Sequence, residues 1–318
     1  MFNILLSGCT EGLIWGLLAL GFYIAFRILD FADMTCEGSI TLGASVAALC
    51  IWSGVSSFLA MILAFLSGCI AGVVTGFLHT KLKIAPILSG ILTMAALFSI
   101  NIHIMSAATG SEGTANLGLL TYSDSTVYSI LKELLGLKKT ETALVFGIVV
   151  AFAVIGLLYW FFGTALGCSI RATGNNEKMC RAQGINTDST KIVGLAIANG
   201  LIALSGSMLC QFQGYSDVKM GVGSIVIALA SIIIGEAIFA RAKNFFVKLL
   251  GIIVGSVIYR IIFALVIYSG IPSEDLKLIS AAVVVLALAI TTYKSKISGA
   301  VSKLFSNFKK KGEKDNAK

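Results

Sequence analysis

Residues able to do chemistry are scarce in this chain and gather in three places. Asp30-Phe31-Ala32-Asp33-Met34-Thr35-Cys36-Glu37-Gly38-Ser39 puts three carboxylates between two apolar runs. Glu11, Glu236 and Arg260 stand singly inside apolar runs, and Gly167 to Asn186 mixes Arg171, Glu177, Lys178 and Arg181 with Asn175, Asn176 and Gly184. Ionisable groups within apolar segments are costly and are functional candidates by default. No Ser/His/Asp order, phosphate-cradling glycine loop or paired catalytic carboxylate appears, so no catalytic residue is expected. His79 and His103 lie near the ends of apolar runs without a partner at ligand spacing, and the 7 cysteines show no CxxC pattern. No metal site is expected, and the cysteines in apolar runs read as small hydrophobes.

The acidic group has two readings. One is a solvated turn steadied by Arg27. The other is the break in a discontinuous helix, with Glu37-Gly38-Ser39 opening a half-helix; irregular backbone at membrane depth survives only when buried in protein or lining a watery cavity. Among the isolated charges, the rise of ~1.5 Å per residue puts Glu11 and Arg260 at depths differing by roughly 3 Å. The same rise places Glu236 some 10 Å away from Arg260 along the membrane normal. Depth therefore selects Glu11–Arg260 as a structural ion pair. Asn199, Ser205 and Ser207 suit bonds to neighbouring helices, with substrate contact the other role open to them.

The elements that position these groups follow from composition. The chain has 318 residues, 57% hydrophobic and 13% charged, with 33 glycines and 2 prolines, and its mean hydropathy is +0.93. Soluble domains carry about 25% charged residues, so a soluble enzyme, a disordered chain and a disulfide scaffold are all excluded. Nine apolar runs near the ~20-residue membrane length lie at 4–26, 37–53, 57–79, 85–106, 142–162, 190–212, 222–240, 246–269 and 278–293. The expected fold is all-α: a polytopic transmembrane helical bundle of about 8–10 spans, with little or no strand. Residues 1–295 form the membrane domain and 296–318 a basic tail. Gly8, Gly12, Gly16 and Gly68, Gly72, Gly76 recur every four residues, the spacing of tight helix seams in lipid.

Charge sets the orientation. The net charge is +8, and eight lysines fall between Lys294 and Lys318; a basic tail beside a membrane helix faces cytoplasm and anionic membrane lipid rather than nucleic acid. With the N-terminus outside and the C-terminus cytoplasmic, 18 basic residues lie inside against 5 outside. The external segment is then 107–141, with an amphipathic stretch at Val127–Leu137, and the largest cytoplasmic loop is 163–189. In that loop Asn175 or Asn176 suits an N-cap, Glu177 the first turn and Gly184 the left-handed C′ position. A helix of about two turns is expected there.

This loop carries a resemblance. Arg171-Ala-Thr-Gly-Asn-Asn-Glu177, Ala182-Gln-Gly-Ile-Asn-Thr-Asp188, Lys191 and the glycine-rich Gly200–Gly206 resemble the cytoplasmic signature of ABC importer permeases of the branched-chain amino-acid and ribose superfamily. Gly21–Ala48 and Ser224–Phe239, with Gly235-Glu236, are similar to two further blocks of that superfamily. Leu29–Asp33, Leu78–Ile84 and Gly90–Met94 look like the branch serving tryptophan and tyrosine. The likeness spans residues 8–295. It implies a transmembrane permease subunit of a bacterial plasma-membrane importer, not itself an enzyme, paired with a second permease subunit as a homodimer. It also implies separate ABC ATPase subunits, an extracellular or lipid-anchored substrate-binding protein, and no cofactor on this chain, since ATP and magnesium belong to the ATPase.

In site terms the resemblance implies ATPase coupling through Arg171, Asn175, Asn176, Glu177, Lys178, Arg181 and Gly184. It implies a discontinuous helix beside a translocation pathway at Asp30, Asp33, Thr35, Glu37, Ser39, Asn199 and Glu236. The competing function is a stand-alone ion-coupled secondary transporter using Glu11, Glu236 or the acidic group. Such folds often contain inverted repeats, and none is evident in the sequence.

Overall fold

Apolar runs in lipid must satisfy every backbone group internally, and α-helix does so within one segment. The computed structural model describes residues 2–119, 126–136, 138–240, 244–268, 278–285 and 289. Six long apolar helices lie among them: α1 (Phe2–Tyr23), continued by a π-helical turn at Ile24–Ile28, α3 (Ser57–Thr80), α4 (Pro86–Thr109), α6 (Lys139–Gly163), α9 (Thr187–Gln213) and α11 (Phe245–Tyr268). Between them come α2 (Cys36–Trp52), β1 (Asn116–Gly118), α5 (Val127–Leu135), α7 (Ala165–Asn175), α8 (Glu177–Ala182), β2 (Tyr215–Asp217) and α10 (Ser224–Ile238).

Two of the nine expected spans are too short to cross. α2 has 17 residues and α10 has 15, lengths of about 26 and 23 Å against a hydrocarbon core of ~30 Å. Both start inside the bundle. Ser39, in the first turn of α2, bonds Asn199 near the middle of the 27-residue α9, and Gly223, which precedes α10, bonds Glu37. From this shared level the two run to opposite ends. The far half of α2 joins Met105, Leu117, Cys210 and Val218 in one apolar cluster, whereas α10 ends beside Arg27 at the α7–α8 end. Of the run expected at 278–293, residues 278–285 and 289 are helical and the others lie outside the described residues. The tail 296–318 lies outside them too.

The small-residue stripes are the seams. A Cβ on Gly12 would sit 2.6 Å from the Val257 Cα, so α1 lies almost in backbone contact with α11. A Cβ on Gly72 would sit 2.2 Å from the Leu195 carbonyl oxygen, and α3 is locked to α9 in the same way. α9 packs against α3, α2 and α1 and forms the centre of the bundle.

Two elements depart from the sequence reading. β1 and β2 pair antiparallel, Leu117 opposite Ser216, and join the segment 107–141 to the stretch after α9, where no strand was expected. α5 docks on the end of α9 through Tyr128 Oη donating to the Met208 carbonyl at 3.2 Å. At the opposite end, 163–189 is two helices and not one: Thr164 caps α7 by accepting from Gly167 N, ahead of the expected α8.

Candidate functional site: the α7–α8 end and the buried acidic segment

α8 is held by a local charge clamp. Asn176 caps it, accepting from Met179 N at 3.0 Å, and Gly184 closes it at φ +81°. Arg181 donates to Glu177 at 2.9 Å and Asp188 at 3.0 Å, and through Nε to Thr187 Oγ1 at 2.7 Å. Lys191, at the base of α9, donates to the other Glu177 oxygen at 2.8 Å. That hydrogen bond, more than any other influence, holds the Glu177 carboxyl below its ordinary pKa. Asn175, Lys178, Met179 and Arg181 are exposed and Cys180 is buried, so the short helix presents a mixed cationic and apolar face outward.

The clamp continues into the bundle. Lys191 Nζ lies 3.3 Å from His79 Nε2, and His79 Nδ1 lies 2.8 Å from the Ile84 carbonyl. A carbonyl only accepts, so Nδ1 carries the proton and Nε2 accepts from Lys191. The His79 ring meets Phe31 edge-on with centroids 5.1 Å apart. Sequence spacing gave His79 no partner because Lys191 is 112 residues away.

Phe31 belongs to the acidic segment, whose residues the structure separates into two sets. Asp33, Thr35, Ser39 and Asn199 are each at most 2% exposed. Asn199 Nδ2 donates to Asp33 Oδ2 at 2.7 Å, Ser39 Oγ donates to Asn199 Oδ1 at 2.7 Å, and Thr35 N donates to Asp33 Oδ1 at 2.8 Å. The Thr35 and Thr75 hydroxyls are 2.8 Å apart. These four side chains face one another and knit the α1–α2 connection to α9 and α3. Asp30, Glu37 and Glu236 instead retain accessible surface. Asp30 has φ +54° and turns the chain out of the π-helical end of α1. Glu37 accepts from Gly223 N at 2.9 Å, so one carboxylate serves the starts of both α2 and α10, where the positive helix ends favour an anion.

Glu236 pairs with Arg27 through two bonds of 3.0 and 3.1 Å, a pairing the sequence reading did not consider. Both side chains are more than a third exposed, so the pair adds little stability. Glu11 and Arg260 lie 3.3 Å apart, with the Arg260 guanidinium 4.5 Å from the Trp15 ring centroid. Arg171 is not with the α8 group; it turns back over Phe245 at 5.4 Å and bonds the Phe162 carbonyl. α7 touches the π-helical turn that continues α1, since a Cβ on Gly174 would overlap the Ile28 carbonyl oxygen at 1.8 Å.

A buried acidic segment is thus wired to an exposed capped helix, and among the described residues no cluster of His, Cys, Asp or Glu could hold a metal. Over residues 4–288 the sequence matches the family described as the branched-chain amino acid transport system permease component. The chain belongs to this family. The permease is 40% identical over 309 residues, 97% of this chain and 98% of the other, to the tyrosine transport system permease protein of Clostridioides difficile strain R20291. It is 24% identical to the ribose import permease of Escherichia coli K12, across 82% of this chain and 77% of that one. It is 22% identical to a high-affinity branched-chain amino acid permease of Salmonella typhimurium LT2, across 74% and 77%. It is an ABC transporter permease subunit, multi-pass and not itself an enzyme.

Proposed function

We propose that the chain is the transmembrane subunit of an ATP-driven importer for an amino acid, with tyrosine or tryptophan as favoured cargo. The carrying observation is the 40% identity, end to end, with a tyrosine transport permease. In this reading the N-terminus is outside and the α7–α8 end is cytoplasmic, in a bacterial plasma membrane, as the distribution of basic residues supports. Separate ATPase subunits supply ATP and magnesium and dock on α8. A binding protein, free or lipid-anchored, docks near the β1–β2 ribbon, and a second copy of this chain completes the pathway.

The contacts support a coupling route. A docked ATPase that moves α8 displaces Glu177, and with it Lys191, His79 and Phe31, two residues before Asp33 in the chain. Gly174 against Ile28 gives α7 a parallel hold on the end of α1. The pathway group then divides: Asp30, Glu37 and Glu236 line the route, while Asp33, Thr35, Ser39 and Asn199 keep the discontinuous segment in shape. Motion at α8 shifts a two-state equilibrium rather than bending the bundle continuously.

The test is reconstitution of permease, ATPase and binding protein in liposomes, reading uptake and ATP hydrolysis together. Arg181→Glu and Glu177→Lys should cut ligand-stimulated hydrolysis and uptake while the protein still folds. Undiminished stimulated hydrolysis in both variants removes α8 from the mechanism. Uptake by this chain alone, driven by an ion gradient, overturns the importer reading.

A further inference from the structure

We propose that the cleft between the end of α6 and the start of α11 holds the phosphate headgroup of an anionic phospholipid. The inference rests on the membrane setting of the α7 end and not on the cargo. The cleft has a volume of about 550 Å³, and Trp160, Thr164, Arg171, Asn244 and Phe245 are among its walls. Its position is interfacial. α6 is an apolar span of 25 residues, and near its last turn Tyr159 and Trp160 are 54% and 70% exposed. Amphipathic rings placed so mark headgroup level.

The polar side of the cleft is built for an anion. Arg171 reaches back along α7 to the Phe162 carbonyl and the Cys168 sulfur, over the Phe245 ring. Its guanidinium is thereby held beside the N-terminal end of α7, whose first amides have no intrahelical acceptor. No carboxylate pairs with Arg171 among the described residues. A guanidinium has five N–H donors, so after these bonds it keeps donors for a phosphate. The adjoining cleft of about 460 Å³, across Arg171 and Phe245, adds Lys248 and Arg27 against one acid, Asp30. Arg27 is already taken by Glu236, whereas Arg171 and Lys248 make no ion pair among the described residues.

An apolar surface continues from the cleft along α6, where Phe152 and Leu157 are 54% and 64% exposed. A soluble phosphate would use only the polar end. A zwitterionic lipid would bring its own cation towards Arg171. A single net negative charge on two acyl chains uses both ends, and binding it would brace α7 against α6 and α11.

The experiment measures thermal unfolding of the assembled transporter in detergent with phosphatidylglycerol, with phosphatidylcholine of the same chains, and with inorganic phosphate. Native mass spectrometry counts the retained lipid. Phosphatidylglycerol should raise the midpoint by several degrees and stay bound, and the other two should not. Arg171→Gln should weaken that binding about tenfold, the loss of a charge-assisted contact. Because Arg171 also ties α7 to α6, Asn244→Asp is the second variant; it adds a carboxylate to the cleft, leaves the Arg171 bonds in place, and should abolish the shift. Equal stabilisation by phosphatidylcholine, or by phosphate alone, overturns the proposal. So does an unchanged phosphatidylglycerol shift in Asn244→Asp.

Discussion

Replacing Asn199 with leucine tests whether the buried acidic segment is held as the hydrogen bonds indicate. The side chain has similar bulk, so packing changes little. Two inter-element bonds are lost, the 2.7 Å donation to Asp33 and the 2.7 Å acceptance from Ser39. Side-chain bonds between membrane helices average about 0.6 kcal/mol, so that loss alone is about 1 kcal/mol. The larger effect is on Asp33, which is 2% exposed: leaving a buried acceptor without its donor costs about 1–3 kcal/mol. Asp33 keeps its bond from Thr35 N, so the penalty is taken at the middle of that range and the expected total is about 3 kcal/mol. Asp33→Asn is the sharp control. With Asn199 turned over, its oxygen accepts from the new amide and its NH2 donates to Ser39, so the network survives and the loss should be about 1 kcal/mol. Unfolding of the purified permease in increasing dodecyl sulfate, followed by tryptophan fluorescence, reads the order. Asn199→Leu no worse than Ser39→Ala would refute the argument, since the residual acid would then carry no penalty.

The remaining predictions concern other elements. Gly72→Ala should sharply reduce folded yield, because a Cβ there would lie 2.2 Å from the Leu195 carbonyl, whereas Gly156→Ala, with nothing within 4 Å, should express normally; size-exclusion recovery distinguishes them. Glu11→Gln and Arg260→Met should be non-additive, since either alone strands a charge whose side chain is 27% or 11% exposed; a double variant as damaged as the sum of the singles would count against the pair. Glu177 titrates below its ordinary value of 4.5 because of Lys191. Its contribution is therefore present above that ordinary value and disappears as pH falls through the lowered one. The protection factor of the α8 amides, which allows for the intrinsic slowing of exchange in acid, should fall on acidification in the native chain and show no such step in Glu177→Gln.

How far the sequence carried depends on whether the governing interaction was local. α8 was legible because Asn176, Glu177 and Gly184 cap it within a few residues of one another, and caps are short-range chemistry. The glycine stripes were legible because helical period alone puts Gly8, Gly12 and Gly16 on one face. Glu11 and Arg260 came together through depth, which is a count of residues along known spans. The Arg27–Glu236 pair and the Lys191–His79 contact were not legible, since each depends on which helices are neighbours, and hydropathy does not rank neighbours. The β1–β2 ribbon escaped for a related reason: strands of three residues are too short for alternation to register. α7 was not legible, because its cap is a single Thr164 side chain on Gly167 N and its packing against Ile28 joins residues far apart in the chain.

Gly174 shows why that omission matters mechanically. A glycine in an exposed helix is usually a small loss relative to alanine, so its presence at the next-to-last position of α7 needs a reason. The reason is steric: with the Ile28 carbonyl only 1.8 Å from where a Cβ would stand, any other residue forces α7 away from the π-helical turn. That turn leads directly into Asp30 and the Asp33 network. α7 and α8 therefore grip the acidic segment from two sides, one by backbone contact at Ile28, the other through Lys191, His79 and Phe31. If both holds transmit motion, Gly174→Val should impair coupling even though it leaves every charge of the α8 clamp intact. The measurement is uptake per ATP hydrolysed in liposomes. A normal ratio in Gly174→Val, with stimulated hydrolysis and uptake both cut in Arg181→Glu, would assign transmission to the Lys191 route alone and reduce α7 to a spacer.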